Sequence, residues 1–300
     1  MHAVTRIYQP GATRDSYNRA TFQSAGASLQ RMLDSALVQR IVVVINCDPR
    51  SPLSEPLDVD GIPATQHALV TAFAREMRRG RLVVHHQETW GANPGSARAL
   101  TSGCGHAVAD GADAVLVWST ELAVDPSHVQ RALEHLRRND LACVGFLRQR
   151  WQERLVWQLP QNTGVIYRSD LLEESGYFSP ECDGDAGHTL ELPEFGAVPL
   201  AGMEDAHLLL RRLKAAGGLR WGMVGRDEPL AWNTDFPPGS RRALDHAKKV
   251  ARQESVLYQY IAEIFGAWTR AEQEVILMRL FDGAQLADKR LQEETARHCN

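Results

Sequence analysis

Between residues 3 and 118, short β-rich runs alternate with stretches of helical periodicity, and this alternation narrows the fold more than any other feature. Ala3-Val4-Thr5-Arg6-Ile7-Tyr8 predicts a first strand, closed by Gln9-Pro10-Gly11. Leu29, Met32, Leu33, Ala36 and Leu37 recur at i, i+3, i+4 spacing and predict a helix over 28–39. Ile41-Val42-Val43-Val44-Ile45 is β-branched throughout and ends in the turn signal Asn46-Cys47-Asp48-Pro49. A helix over 65–79, a strand over 81–85, a helix over 96–109 and the apolar run Ala114-Val115-Leu116-Val117-Trp118 follow. Strand and helix in strict turn are the pattern of a parallel, doubly wound α/β sheet with right-handed crossovers.

Past Asp125-Pro126 the rhythm changes. The pattern predicts a helix over 126–139, a strand over 142–147, a Trp/Gln-rich patch over 151–161 and a strand over 164–167. Residues 176–202 read largely as loop, followed by an amphipathic helix over 203–216, closed by Gly217-Gly218. Two further helices are predicted over 243–265 and 270–297. The expected organisation is one α/β domain over 1–240, with halves at 1–125 and 126–240, and a C-terminal helical extension over 241–300. The Pro- and acid-rich stretch 51–63 reads as an inserted loop.

A net charge of −4 offers no basic footprint, which argues against a nucleic-acid partner. Cys47, Cys104, Cys143, Cys182 and Cys299 are scattered without metal-ligand spacing and read as reduced thiols in a cytoplasmic protein. No run approaches the roughly 18 apolar residues of a transmembrane helix, and the N-terminus lacks a signal-peptide core. Any membrane contact is expected to be peripheral, at the inner face.

Candidate site residues cluster at strand and helix ends. In open α/β sheets ligands bind beyond the carboxyl ends of the strands, so the break after Trp118 into Ser119-Thr120-Glu121 marks a candidate site. Glu121 either helps hold a divalent cation or begins the next turn. Asp48 either meets a ligand at its strand end or nucleates the turn before Pro49. The loop Asn93-Pro94-Gly95 opens a helix, where free amides favour an anion, and Arg98 sits in that first turn as a phosphate contact or a surface residue. Glu204 and Asp205 begin a helix that ends with Arg211, Arg212 and Lys214, a charge order that also suits the macrodipole. Residues 236–242, with Arg241 and Arg242, read as a closing loop or a solvated helix start. Trp151, Trp157, Trp221 and Trp232 cluster in the second half, where their rings line a site or simply pack. His207, two residues past Asp205, points about 200° away on a helix, which argues against a dyad.

Five segments, in order, resemble the GT-A class of glycosyltransferases and within it the large inverting family 2. They are 28–48; 90–98, which is similar to an Asn-x-Gly loop; 111–126, which is similar to the Asp-x-Asp strand, closest to the rhamnosyltransferase-like variant; 162–168 with 174–178; and Met203-Glu204-Asp205, which looks like the Glu-Asp helix. The resemblance implies a GT-A fold and transfer of a sugar, of hexosyltransferase type, from a nucleotide-diphosphate sugar to an acceptor hydroxyl on a saccharide, a lipid-linked molecule or a small molecule. It places the general base at Asp205, beside Glu204. Donor contacts would fall at Gln9, Asp48, Asn93, Gly95, Arg98, Ser119, Thr120 and Arg241, and acceptor contacts at Trp157, Asn162, Thr163 and Gly164. Glu121 would ligate Mg2+ or Mn2+. This chain departs from the pattern in having Ser119 for the first acid of the metal motif, Glu121 for the last, and His207 where a further Asp is common. The C-terminal helices lie outside the resemblance and would pair two copies, pack on the domain or recognise an acceptor. A non-catalytic sugar-nucleotide-binding relative is the alternative. A nucleotidyltransferase would need a phosphate loop after the first strand, which residues 9–14 match poorly.

Overall fold

The computed structural model of the chain describes residues 1–9, 17–47, 64–88, 95–184, 187–225, 229–231, 239 and 241–286. The first half runs β1 (His2–Gln9), α1 (Tyr17–Leu33), β2 (Arg40–Cys47), α2 (Ala64–Arg78), β3 (Leu82–Glu88), α3 (Ser96–Ala109) and β4 (Ala114–Trp118). Then come α4 (Pro126–Arg138), β5 (Cys143–Phe146), β6 (Gly164–Arg168) and α5 (Ser169–Glu174). The small hairpin β7 (Thr189–Leu192) and β8 (Gly196–Pro199) precedes α6 (Glu204–Ala216) and β9 (Trp221–Val224). The chain continues through α7 (Arg241–Phe265), α8 (Arg270–Asp282) and β10 (Ala284–Leu286).

Eight strands form one sheet in the order β10-β9-β5-β6-β4-β1-β2-β3. All neighbours are parallel except β6, which runs antiparallel to both β4 and β5. The two faces follow from the two-residue period of a strand. Val4, Val42, Val44, Val115 and Val117 face a core shared with α3, α5, α6, α7 and α8. Ala3, Ile41, Val43, Leu116 and Trp118 face the other core, with α1, α2 and α4. After β3 the chain returns across the sheet to place β4 on the far side of β1, so the strand order reverses between β1 and β4. That is the topological switch point, where such sheets bind ligands.

Local chemistry explains the clearest boundaries. Asp125 caps α4 by accepting from the amides of Ser127 (2.8 Å) and His128 (3.1 Å), with Pro126 in the first turn. Thr269 and Glu272 form a capping box at the start of α8. Gly103 lets α3 lie close on the sheet: a Cβ there would stand 2.6 Å from Val4 Cγ1 and 2.9 Å from Val44 Cγ2.

Three sequence expectations are corrected. α1 begins at Tyr17 rather than at 28 and stops at Leu33, because the amides of Ser35 and Val38 turn back onto Met32 and Ser35 in tight turns. Residues 176–202 are not simply loop: they hold a 3-10 turn at Pro180–Asp183 and the β7–β8 hairpin, whose strands are four residues each and mostly exposed. The final helix ends at Asp282 rather than near 297. Gly283 then approaches the backbone so closely that a Cβ would lie 1.6 Å from the Leu219 carbonyl. Its own carbonyl accepts from the Trp221 amide at 3.0 Å, and β10 joins the sheet beside β9. The C-terminal helices thus pack on the same body as the sheet, α7 against α6 and α8 against α7.

Candidate functional site

The site is built at the switch point. Val4 pairs with Val117, and Thr5 Oγ1 donates to the Trp118 carbonyl at 2.8 Å. One residue further, this parallel register brings Arg6 of β1 level with Ser119. Here a cavity of about 190 Å3 opens, walled by Arg6, Ser119, Arg148, Asn162, Thr163, Glu204, Asp205 and Lys249. Ser96 of α3 and Gln253 of α7 also line it.

The two carboxylates reach this cavity because of the turn before α6. Gly202 and Met203 both have positive φ, 89° and 57°. For Met203 that left-handed backbone costs roughly 1–3 kcal/mol. The strain is held in place by burial of the Met203 side chain and by Tyr260, whose hydroxyl donates to the Gly202 carbonyl at 3.0 Å. Asp205 is 7% exposed. Its Oδ2 accepts from the Asn162 amide at 2.8 Å and its Oδ1 from the Ala206 amide at 2.7 Å. Burial, and then the like charge of Glu204, push its carboxyl up to about 6, while the two amides and Lys249 pull it back down. Glu204 accepts from Ser96 Oγ at 2.9 Å. Tyr167, fully buried, donates to Asn162 Oδ1 at 2.8 Å and so fixes the residue that holds Asp205.

Opposite these acids stand cations. Arg148 is 4% exposed, and its Nη2 donates to Gln161 Oε1 at 2.5 Å. Burial lowers the guanidinium to about 10, with the Asp205 charge opposing that shift, so it stays protonated at neutral pH. Arg6 Nε donates to Asn46 Oδ1 at 2.8 Å. Lys249 comes from α7 at the open side of the cavity.

Of the residues expected from the sequence, Ser119, Asn162, Thr163, Glu204 and Asp205 come together on the cavity wall. Thr120 and Glu121 lie in the turn after β4 and are not part of the wall. Gly164 packs inside the sheet, where a Cβ would stand 2.7 Å from Leu122 Cδ2. Trp157 lies behind the wall, donating from Nε1 to Gln253 at 2.9 Å, with the Arg148 and Arg154 guanidinium groups over its ring. His207 points away, edge-on to Tyr260 at 4.7 Å, and burial lowers it to about 4, so it is neutral. Asp48, Asn93 and Trp232 lie outside the described residues, as do the side chains of Gln9, Arg241 and Arg242.

The start of α3 corrects another expectation. Its free amides do not face an open site. The buried carboxylate of Asp183 accepts from the amides of Ala97 at 2.8 Å and Arg98 at 3.2 Å, and Arg98 Nε lies 3.9 Å from the same carboxylate. Gly95 forms the left-handed cap of this helix, with φ 71°. Burial raises the Asp183 carboxyl to about 6 despite these two amides.

The β4 tip offers a divalent cation a single carboxylate, so a metal there would be held largely by the donor's phosphates and water. Glu121 supplies its one carboxylate and stands off the wall, while Ser119 Oγ accepts from the Glu121 amide at 3.2 Å. Among the described residues no group of three or more His, Cys, Asp or Glu is placed to share an ion.

Sequence reasoning missed Arg6, Ser96, Arg148, Gln161, Asp183, Lys249 and Gln253. A signal existed for Arg6, a charge at an inward position of a central strand. One existed for Lys249 and Gln253, which extend the buried stripe Val256, Leu257, Tyr260 of α7 toward its N-terminus.

No family model and no curated protein sequence matches the chain. Solved structures do. S. aureus TarS superposes with a TM-score of 0.52 at 13% identity, over 94% of this chain and 43% of that one. The TarS 1–349 fragment in complex with UDP-GlcNAc gives 0.50 at 11% identity, over 95% and 74%. Glucosyl-3-phosphoglycerate synthase from Mycobacterium tuberculosis, crystallised with Mn2+ and UDP-glucose, gives 0.47 at 15%, over 86% and 78%. The fold is GT-A. The chain spans less than half of that TarS chain. Among the described residues no helix is long and apolar enough to cross a membrane.

Proposed function

We propose that this chain is an inverting glycosyltransferase of family 2 type, with Asp205 as general base. The observation that carries the reading is a buried carboxylate at the ligand edge of a GT-A sheet, oriented by two amides and raised to about 6. A base whose pKa lies near working pH is ionised when needed yet still basic enough to take a proton. Asp205 takes the acceptor's hydroxyl proton as that oxygen bonds to the anomeric carbon. The bond from that carbon to the diphosphate oxygen breaks on the opposite face, and the electron pair leaves with the diphosphate. Glu204, anchored by Ser96, keeps the Asp205 pKa high and lines the acceptor side with Asn162 and Thr163. Donors with a nucleotide diphosphate suit the switch-point position, and the structures of TarS with UDP and UDP-GlcNAc support that class.

The test is transfer or slow donor hydrolysis with a panel of UDP-, dTDP- and GDP-sugars, with and without Mg2+ or Mn2+. A second reading, a non-catalytic sugar-nucleotide binder, draws on the reduced tip Ser119-Thr120-Glu121. It requires thermal stabilisation by a nucleoside diphosphate with no turnover of any sugar in the panel. A rhamnosyltransferase-like subtype, with the sugar itself left open, and a cytoplasmic site of action belong to the first reading.

A further inference from the structure

The β4 tip has a single carboxylate, Glu121, which is not on the cavity wall, and this raises the question of what meets the charge of a diphosphate there. We propose that Arg6, supported by Arg148 and Lys249, neutralises the donor diphosphate directly, in place of a divalent cation. This rests on the glycosyltransferase reading above and names the chemistry of its donor subsite.

Four observations point the same way. First, the parallel register sets Arg6 level with Ser119, so β1 delivers a cation at the height where the sequence lacks its first acid. Second, Arg6 is aimed. Asn46 is fully buried in the second strand; its Nδ2 donates to the Gln87 carbonyl at 3.1 Å, which leaves Oδ1 turned toward Arg6 Nε at 2.8 Å. A buried asparagine in an otherwise β-branched strand is costly unless it is satisfied, and both of its ends are used here. Third, the cavity wall carries three cationic side chains, Arg6, Arg148 and Lys249, against two carboxylates, Glu204 and Asp205. Fourth, those carboxylates have their own donors: Asp205 has two amides and Glu204 has Ser96. The nearby Asp183 is served by the start of α3. The wall therefore offers cationic groups to an entering anion, in a confined site where charge is poorly screened. When the anomeric bond breaks, the leaving oxygen's electron pair is met by guanidinium N–H groups. No proton moves to them, since the acceptor's proton goes to Asp205.

Calorimetric titration of the full chain with UDP, GDP, dTDP and inorganic pyrophosphate, in EDTA and again in Mg2+ or Mn2+, tests this. The expected result is that one nucleoside diphosphate binds in EDTA, with metal changing its affinity by less than about threefold. Arg6→Gln should weaken that binding by about ten- to a hundredfold, the loss of a charge-assisted hydrogen bond, and metal should not restore it. Because Arg6 lies in a central strand, its melting curve is recorded alongside; if the variant does not fold, Lys249→Gln, on the open side of the cavity, should weaken diphosphate binding in the same direction. Binding that appears only with metal, with Arg6→Gln or its Lys249→Gln substitute equal to wild type, overturns the inference and leaves the glycosyltransferase reading intact. Absence of any nucleotide binding in every condition overturns that reading and the inference with it.

Discussion

Replacing Asp205 by Asn separates its chemical role from its structural one. The substitution keeps the shape but removes the charge and one of two acceptor oxygens. Two amides, those of Asn162 and Ala206, now point at the carboxylate. The variant can satisfy one of them, and the other faces an NH2 group, a cost of about 1–3 kcal/mol. Against this stands the relief of a buried charge. The Asp205 carboxyl lies at about 6 instead of 3.8, a difference on the order of 3 kcal/mol. The sign matters. A carboxyl raised in the folded state binds its proton more tightly there than in the unfolded chain. Its contribution to stability is fully present below the unfolded value and is lost as pH rises through about 6. At pH 7.5 the two effects of the substitution roughly cancel and the melting midpoint moves little. At pH 5 wild type has regained the protonated form, and the variant should be the less stable protein. Turnover behaves differently: wild type should gain rate with pH through about 6 and level off above it. The variant should lose roughly a hundred- to ten-thousandfold in rate and show no such rise. Steady-state transfer between pH 5 and 8, alongside melting curves at both ends, reads all of this. A variant that melts like wild type and turns over within about threefold of it would remove Asp205 as the base.

The other predictions are structural and chemical. Gly103→Ala should cost about 1–3 kcal/mol in a denaturant titration, since the added methyl meets the fully buried side chains of Val4 and Val44; an unchanged midpoint would mean α3 can lift off the sheet freely. Asp183→Asn should flatten the pH dependence of melting between about pH 4 and 6, because wild type loses stability as this raised carboxyl ionises; an unaltered slope would show that its titration does not couple to folding. Cys104, Cys143 and Cys182 are buried, and burial raises their thiols. None of the three should react with a thiol reagent until the chain unfolds, which peptide mapping after timed labelling would show.

The local sequence carries the strand-helix order up to Trp118, because β-branched runs and helical periodicity are written in neighbouring residues. It also carries the charge at the start of α6, since Glu204 and Asp205 precede an amphipathic helix. Strands of only four residues, such as β7 and β8, leave too brief a mark to read. The end of α8 escapes a local reading because Gly283 is needed only where the Leu219 carbonyl comes against it. The site divides along the same line. Ser119, Asn162, Thr163 and the two acids of α6 are legible as polar residues at the ends of regular elements. The pairing of Arg6 with the tip of β4 depends on strand register across more than a hundred residues. The approach of Lys249 depends on how α7 packs, and the filling of the α3 start by Asp183 depends on where a turn eighty-odd residues later comes to rest. Local propensity is set by a residue's neighbours in the chain, so the sequence by itself determined the layers of this protein. Charges act through space, so only the tertiary structure decided that a strand end with a single acid would face an arginine.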